Sequence, residues 1–159
     1  KIESACLMDD GDAGTPKSPF VDYMESLFSV GILNDQFKQI LDLQDDSSPN
    51  FAAEVVNVYF EDSERLINEV VDTLNQPNVD FQRLDSFVHQ LKGSSSSIGA
   101  QRVINVCLVF RDFCSKRNME GCQYCLQQMK EERGLVKEEL EKLMQLEHRN
   151  SQDPSAPAD

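Results

Sequence analysis

"DFQRLDSFVHQLKGSSSSIG", Asp80 to Gly99, decides the class of the fold. Leu84, Phe87, Val88, Leu91, Ser95 and Ile98 recur at spacings of three and four, which lines them along one face of an α-helix. Asp80 can cap the start of that helix, and Gly99 is the natural break at its end.

The same period runs outward in both directions. "FVDYMESLFSVGI" predicts a short helix from about Val21 to Val30 with Gly31 as its stop, and a second follows from about Asp35 to Gln44. "SSPNFAAEVVNVYFEDSERLINEVVDTL" opens with Ser48 as the expected N-cap and Pro49 at the first helical position, where a missing N–H costs nothing. Its apolar residues form two adjacent stripes, so this helix should be buried on more than one side, and Pro77 ends the run.

Beyond Gly99, Val103, Val106, Cys107, Phe110, Phe113 and Cys114 mark a helix from about Ala100 to Lys116. From Met119 a long helix carries Cys122, Leu126, Met129, Val136, Leu140 and Leu143. No alternating run is long enough to propose a strand. The class is all-α: four long amphipathic helices with short connections make an antiparallel four-helix bundle, with the two short N-terminal helices over one end.

Composition fits one domain. The chain has 159 residues, 40% of them apolar, enough for a single core. "DDGDAGTPKSP" and "NSQDPSAPAD" have no apolar period, so residues 1–19 and 149–159 read as flexible tails around a folded unit at 20–148. A formal charge of -13 repels phosphate backbones and argues against nucleic acid. No stretch approaches the roughly 20 apolar residues of a membrane span, so a soluble, intracellular protein with protein partners is expected. Five cysteines, an odd number, do not suggest a disulfide framework.

His89 does not belong to the core stripe. At about 100° per residue the stripe centres roughly 140° away, while Asp85, Lys92, Gly93 and Ser96 fall within about 60° of the histidine. The plain alternative is a solvated surface histidine, but two neighbours are unusual. Gly93 lies mid-helix, where glycine costs about 1 kcal/mol against alanine, and its local effect is open space beside the ring. Lys92 brings an ammonium to the same place, unhelpful to an imidazole that must protonate and well suited to an anion attached to it.

A phosphoryl group on the ring accounts for both. An ordinary imidazole, with a pKa near ~6.5, is largely neutral and nucleophilic at neutral pH and needs no general base. If the chain turns back at Ile98 and Gly99, positions 108 to 112 stand level with His89, and Arg111 is the cation there. Ser94 to Ser97 read as small residues for packing or capping rather than nucleophiles.

The stretch "HQLKGSSSSIGAQRV" resembles the signature of histidine-containing phosphotransfer proteins of multistep two-component signalling, especially the plant cytokinin-pathway members. "GILNDQF", "LQDDSSPNF", "YFEDSERLI", "FRDFCSKRNMEGC" and "CLQQMK" extend the resemblance from about Phe20 to Glu147. It implies a six-helix fold containing a four-helix bundle, with His89 as the phospho-accepting residue, in the manner of active carriers; some plant relatives lack the histidine and act as inhibitors. Lys92, Gly93 and, less directly, Gln90 match the family's site positions, and Arg111 corresponds to a position near its phosphohistidine. "ERGLVK" departs from the pattern, with Arg133 and Gly134 where plant members usually carry an aromatic and a larger residue.

The implied role is a phosphorelay carrier, not an enzyme with its own catalytic cycle or ATP site. It would accept phosphate through Nε2 of His89 from the receiver aspartate of a hybrid sensor histidine kinase and pass it to a response-regulator receiver. No cofactor is expected on this chain; Mg²⁺ comes from the partner receiver. Ile40, Leu41, Asp85, Ser96 and Lys116 are the expected docking residues of a monomer working in cytoplasm and nucleus. "CQYC" has the spacing of a redox or zinc half-site, but Cys122 falls on the core stripe and His148 lies far along the same helix, so burial as small hydrophobes is expected and no metal.

Overall fold

A computed structural model describes residues 18–152. Among these residues six helices follow in order: α1 Pro19–Ser29, α2 Asp35–Leu43, α3 Phe51–Leu74, α4 Phe81–Ile98, α5 Gln101–Ser115 and α6 Met119–Gln152. Among the described residues there is no strand, only isolated bridges pairing Leu33 with Ala100 and Asp45 with Ser48. The fold is the expected all-α bundle. α3 to α6 enclose the core, α2 packs on α3 and α4, and α1 packs along α6.

The stripes predicted from spacing are the core. Leu84, Val88, Leu91, Ser95 and Ile98 of α4 are buried with Val103, Cys107, Phe110 and Cys114 of α5 and Cys122, Met129, Val136, Leu140 and Leu143 of α6. Phe87, Val106, Phe113 and Leu126 pack half-buried at the margin. Ends also match where the cap is local. Asp80 accepts from the Arg83 N–H at 3.0 Å, and Gly99 closes α4 in the left-handed region at φ 82°.

Where the cap is not local, the expectation fails. α3 begins at Phe51, not Pro49, with Asn50 in the cap position and no cap bond from its own side chain. Asp45 has already turned the chain there, since its carboxylate accepts from the N–H groups of Ser47 and Ser48. The side chain of Gln44 supplies the missing acceptor, taking the Ala52 N–H at 2.9 Å. At the chain ends, Ser18 caps α1, Pro19 is its first residue, and α6 continues through Arg149 to Gln152. The rest of the expected tails, 1–17 and 153–159, lies outside the described residues.

One junction fixes how the hairpin that carries His89 meets the N-terminal part. The Asn34 N–H donates to the Gly99 carbonyl at 2.9 Å, and its side-chain amide donates to Gln101 at 2.7 Å. Gln101 N–H returns a bond to the Ile32 carbonyl. The approach is so close that a Cβ on Gly99 would lie 2.7 Å from Asn34 Oδ1 and 2.9 Å from Phe37 N.

Polar cross-links tie α3 to its neighbours. Tyr59 and Ser95 share a buried hydroxyl bond of 2.9 Å. Arg133 reaches from α6 to Ser63 Oγ at 3.0 Å and to the Phe60 carbonyl at 2.7 Å. The unusual arginine therefore acts as a strut between α6 and α3, and α6 runs unbroken through Gly134.

Candidate functional site

α4 carries His89 near its middle, on the face away from Leu84, Val88 and Leu91, and the ring is exposed. The turn at Gly99 and Ala100 then brings α5 back alongside α4. Counting outward from that turn set Arg111 level with His89, and the side chains meet: Arg111 Nη1 lies 2.9 Å from His89 Nδ1. The guanidinium is held from its other side by Asp85, Nε to Oδ1 at 2.9 Å and Nη2 to Oδ2 at 3.2 Å. That paired bond, then the charge of Asp85, raises the Arg111 pKa above its usual value despite partial burial.

Lys92 is half-buried on the same side of α4. Its charge and that of Arg111 both act on the Cys107 thiol beneath them, although burial dominates and pushes Cys107 up to about 12. Among the described residues Lys92 has no carboxylate within ion-pair distance. Gly93 is exposed, and a Cβ there would meet nothing within 4 Å. Gln90 and Ser96 are exposed on the same helix. The site is thus one ring with a cation on Nδ1, a second cation one turn away, and open space on the other flank.

Three of the predicted docking residues stand elsewhere. Ile40 is 5% exposed, packed in the core by the amphipathic face of α2, and offers a partner nothing. Leu41 is half-buried against the core, and Leu43 is the apolar residue of α2 that reaches solvent. Lys116 caps the end of α5, five residues beyond Arg111, and pairs with Asp112 at 3.0 Å.

Two features escaped the sequence reading. Asp85 lies on the strip as expected, but its carboxylate is engaged by Arg111 rather than turned toward a partner. Leu108, one turn before Arg111 on α5, is 51% exposed and lines a groove with Phe81, Gln82, Asp85 and Arg111. Its spacing of three from Arg111 was the available signal.

Cys122 and Cys125 are buried. Burial pushes Cys125 up to about 11 and raises Cys122 as well, and the free Cys122 and Cys114 thiols share a hydrogen bond. Among the described residues no three of His, Cys, Asp and Glu gather where they could hold a metal ion. Nor is any described helix long and apolar enough to cross a membrane.

Known proteins resemble this chain over the same region. A family profile, "Hpt domain", matches residues 54–146. Histidine-containing phosphotransfer protein 1 of Arabidopsis thaliana is 56% identical over 126 residues, 79% of this chain and 82% of the relative. Pseudo histidine-containing phosphotransfer protein 2 of Oryza sativa subsp. japonica is 49% identical over 122 residues, 77% of this chain and 81% of the relative. The crystal structure of a histidine-containing phosphotransfer protein from Medicago truncatula superimposes with a TM-score of 0.81 at 44% identity, covering 85% of this chain and 92% of that one. With the match spanning more than half the chain, and with the helical bundle shared, this protein belongs to the Hpt domain family of plant histidine-containing phosphotransfer proteins.

Proposed function

We propose that His89 receives a phosphoryl group from the phospho-aspartate of a hybrid sensor histidine kinase's receiver domain and delivers it to the receiver aspartate of a response regulator, in cytokinin signalling. One observation carries the reading: an exposed imidazole stands mid-helix with Arg111 on Nδ1 and open space at Gly93. Similarity alone would not decide it, because relatives named as carriers and relatives named as pseudo-carriers match comparably well.

In the transfer the Nε2 lone pair attacks phosphorus, an N–P bond forms, and the bond from phosphorus to the aspartate oxygen breaks as the carboxylate leaves with its electron pair. The return step reverses this on a second receiver. Phosphoryl transfer is chiefly positioning plus charge neutralisation. Arg111 and Lys92 offset charge from this side, and the receiver supplies Mg²⁺ from the other. Gly93 supports the site by leaving room beside the ring, and Gln90 is exposed next to it in the chain. Ser96 and Leu108 border it and meet the receiver, with Leu41 and Lys116 at the periphery. The interface is modest and transient, since a carrier releases each partner, and the protein acts as a monomer in cytoplasm and nucleus.

The test is transfer of radiolabel from a phosphorylated receiver to the wild type and to His89→Gln. Acid-labile, base-stable label on the wild type alone is the expected result. Receiver binding without label on the wild type would make this a pure interaction module and end the proposal.

A further inference from the structure

A guanidinium has no acceptor atom, so Arg111 can only donate. With Nη1 2.9 Å from Nδ1, that nitrogen must offer its lone pair, and the proton of the neutral ring then resides on Nε2. This tautomer cannot attack. The outward nitrogen has its in-plane electrons in an N–H bond, and the inner lone pair is covered by Arg111.

Asp85 makes the arrangement specific. Its two oxygens take Nε and Nη2 in a fork that fixes the guanidinium plane, which leaves Nη1 directed at the ring. Asp85 precedes His89 by four residues on α4, so anchor and target share one helix face and Arg111 is clamped across both.

We infer that Asp85 is a positioning residue that, acting through Arg111, latches His89 in its unreactive tautomer until a partner's phosphoryl group takes the guanidinium over. The inference rests on His89 being the acceptor. When phosphoryl oxygens arrive they compete for Nη1 and draw it off Nδ1. Water removes the Nε2 proton and another proton is delivered to Nδ1, with no net change in charge. The freed Nε2 lone pair then forms the N–P bond as the aspartate carboxylate departs, and the Nδ1 proton is afterwards lost to solvent. Nδ1 is bare again in the product, so Arg111 can return to it. Such a latch favours docked donors over diffusible electrophiles.

Two variants, Asp85→Asn and Arg111→Ala, test this beside the wild type. Nitrogen NMR on imidazole-labelled protein, with the resonances of His89 and His148 separated by His89→Gln, should place the neutral His89 proton on Nε2 in the wild type. Both variants should show a mixture of tautomers. Diethyl pyrocarbonate, an uncharged reagent that needs a free ring lone pair, should modify His89 several-fold faster in both variants. Label transfer from a phosphorylated receiver should instead fall about tenfold in each, the equivalent of roughly 1.4 kcal/mol in the barrier. Opposite responses to the two donors are the signature that general structural damage would not produce. A wild-type ring protonated on Nδ1, or variants whose reactivity toward diethyl pyrocarbonate is unchanged or lower, would overturn the latch. A wild type that takes no label from the receiver, with the tautomer as stated, would instead overturn the role of His89.

Discussion

Arg111, on α5, joins two residues of α4 at once: its Nη1 meets Nδ1 of His89 at 2.9 Å while Nε and Nη2 grip Asp85. A lysine keeps the charge but offers a single nitrogen that cannot hold both partners in this geometry. Arg111→Lys should therefore slow phosphotransfer from a receiver by about tenfold, and, the side chain being partly solvated, shift stability by less than about 0.5 kcal/mol. Single-turnover label transfer and urea denaturation measure the two effects separately.

Gly93 sets stability against function. In an open helix interior, Gly93→Ala should stabilise the fold by about 0.5–1 kcal/mol, because alanine loses less backbone freedom. The added methyl meets nothing in the free protein, but it occupies the flank by which the receiver approaches in the proposed transfer. A higher melting temperature together with slower transfer is the expected pair of results, with Gly93→Leu slower still.

Gly99 has no such latitude. Its φ of 82° is left-handed, and a side chain would collide with Asn34 and the Phe37 amide. Gly99→Ala should cost at least about 1–2 kcal/mol from the backbone conformation alone, seen as a lower denaturation midpoint. The damage is to the α2 junction, so label transfer under conditions where the variant is folded should suffer less than the midpoint.

The buried thiols give the protein an alkaline limit. Burial raises Cys107 from an ordinary 9.0 to about 12, and Tyr59 is likewise pushed from 10.0 up to about 12, mainly by burial. A group whose folded pKa lies above its unfolded value favours the native state below the unfolded pKa and loses that contribution as pH rises toward the folded one. Stability should thus fall between pH 9 and about 12, and Cys107→Ala should flatten part of the decline in a series of denaturation curves taken across that range.

Gln44 should behave as a remote helix cap. It accepts from the Ala52 N–H and donates to Glu147 at 2.6 Å, joining the end of α2 to α3 and α6. Gln44→Ala leaves that N–H without its partner and should cost about 1 kcal/mol, measurable by chemical denaturation.

What the sequence reveals follows the range of the interaction that decides each feature. α4 and α5 could be placed from spacing because burial of one stripe is a local pattern, and Asp80 and Gly99 cap by bonds to residues three or four away. The start of α3 was misplaced because its cap comes from Gln44, eight residues earlier, across a turn that Asp45 makes. Ile40 was misassigned although Phe37 and Ile40, both buried, form a stripe three apart on a nine-residue helix. Arg111 was legible because an antiparallel turn sets levels by counting. The engagement of Asp85 was not, since a carboxylate facing solvent and one facing a guanidinium look alike in a string of letters.

The exposure of His89 has a kinetic corollary. Among the described residues no helix or loop folds over the ring, so a phosphoryl group carried there would travel in contact with bulk water. Its survival depends on the intrinsic durability of the nitrogen–phosphorus bond and on how soon the next receiver is met. Signal strength in such a relay is therefore set by encounter frequency, and so by the concentrations of the proteins on either side.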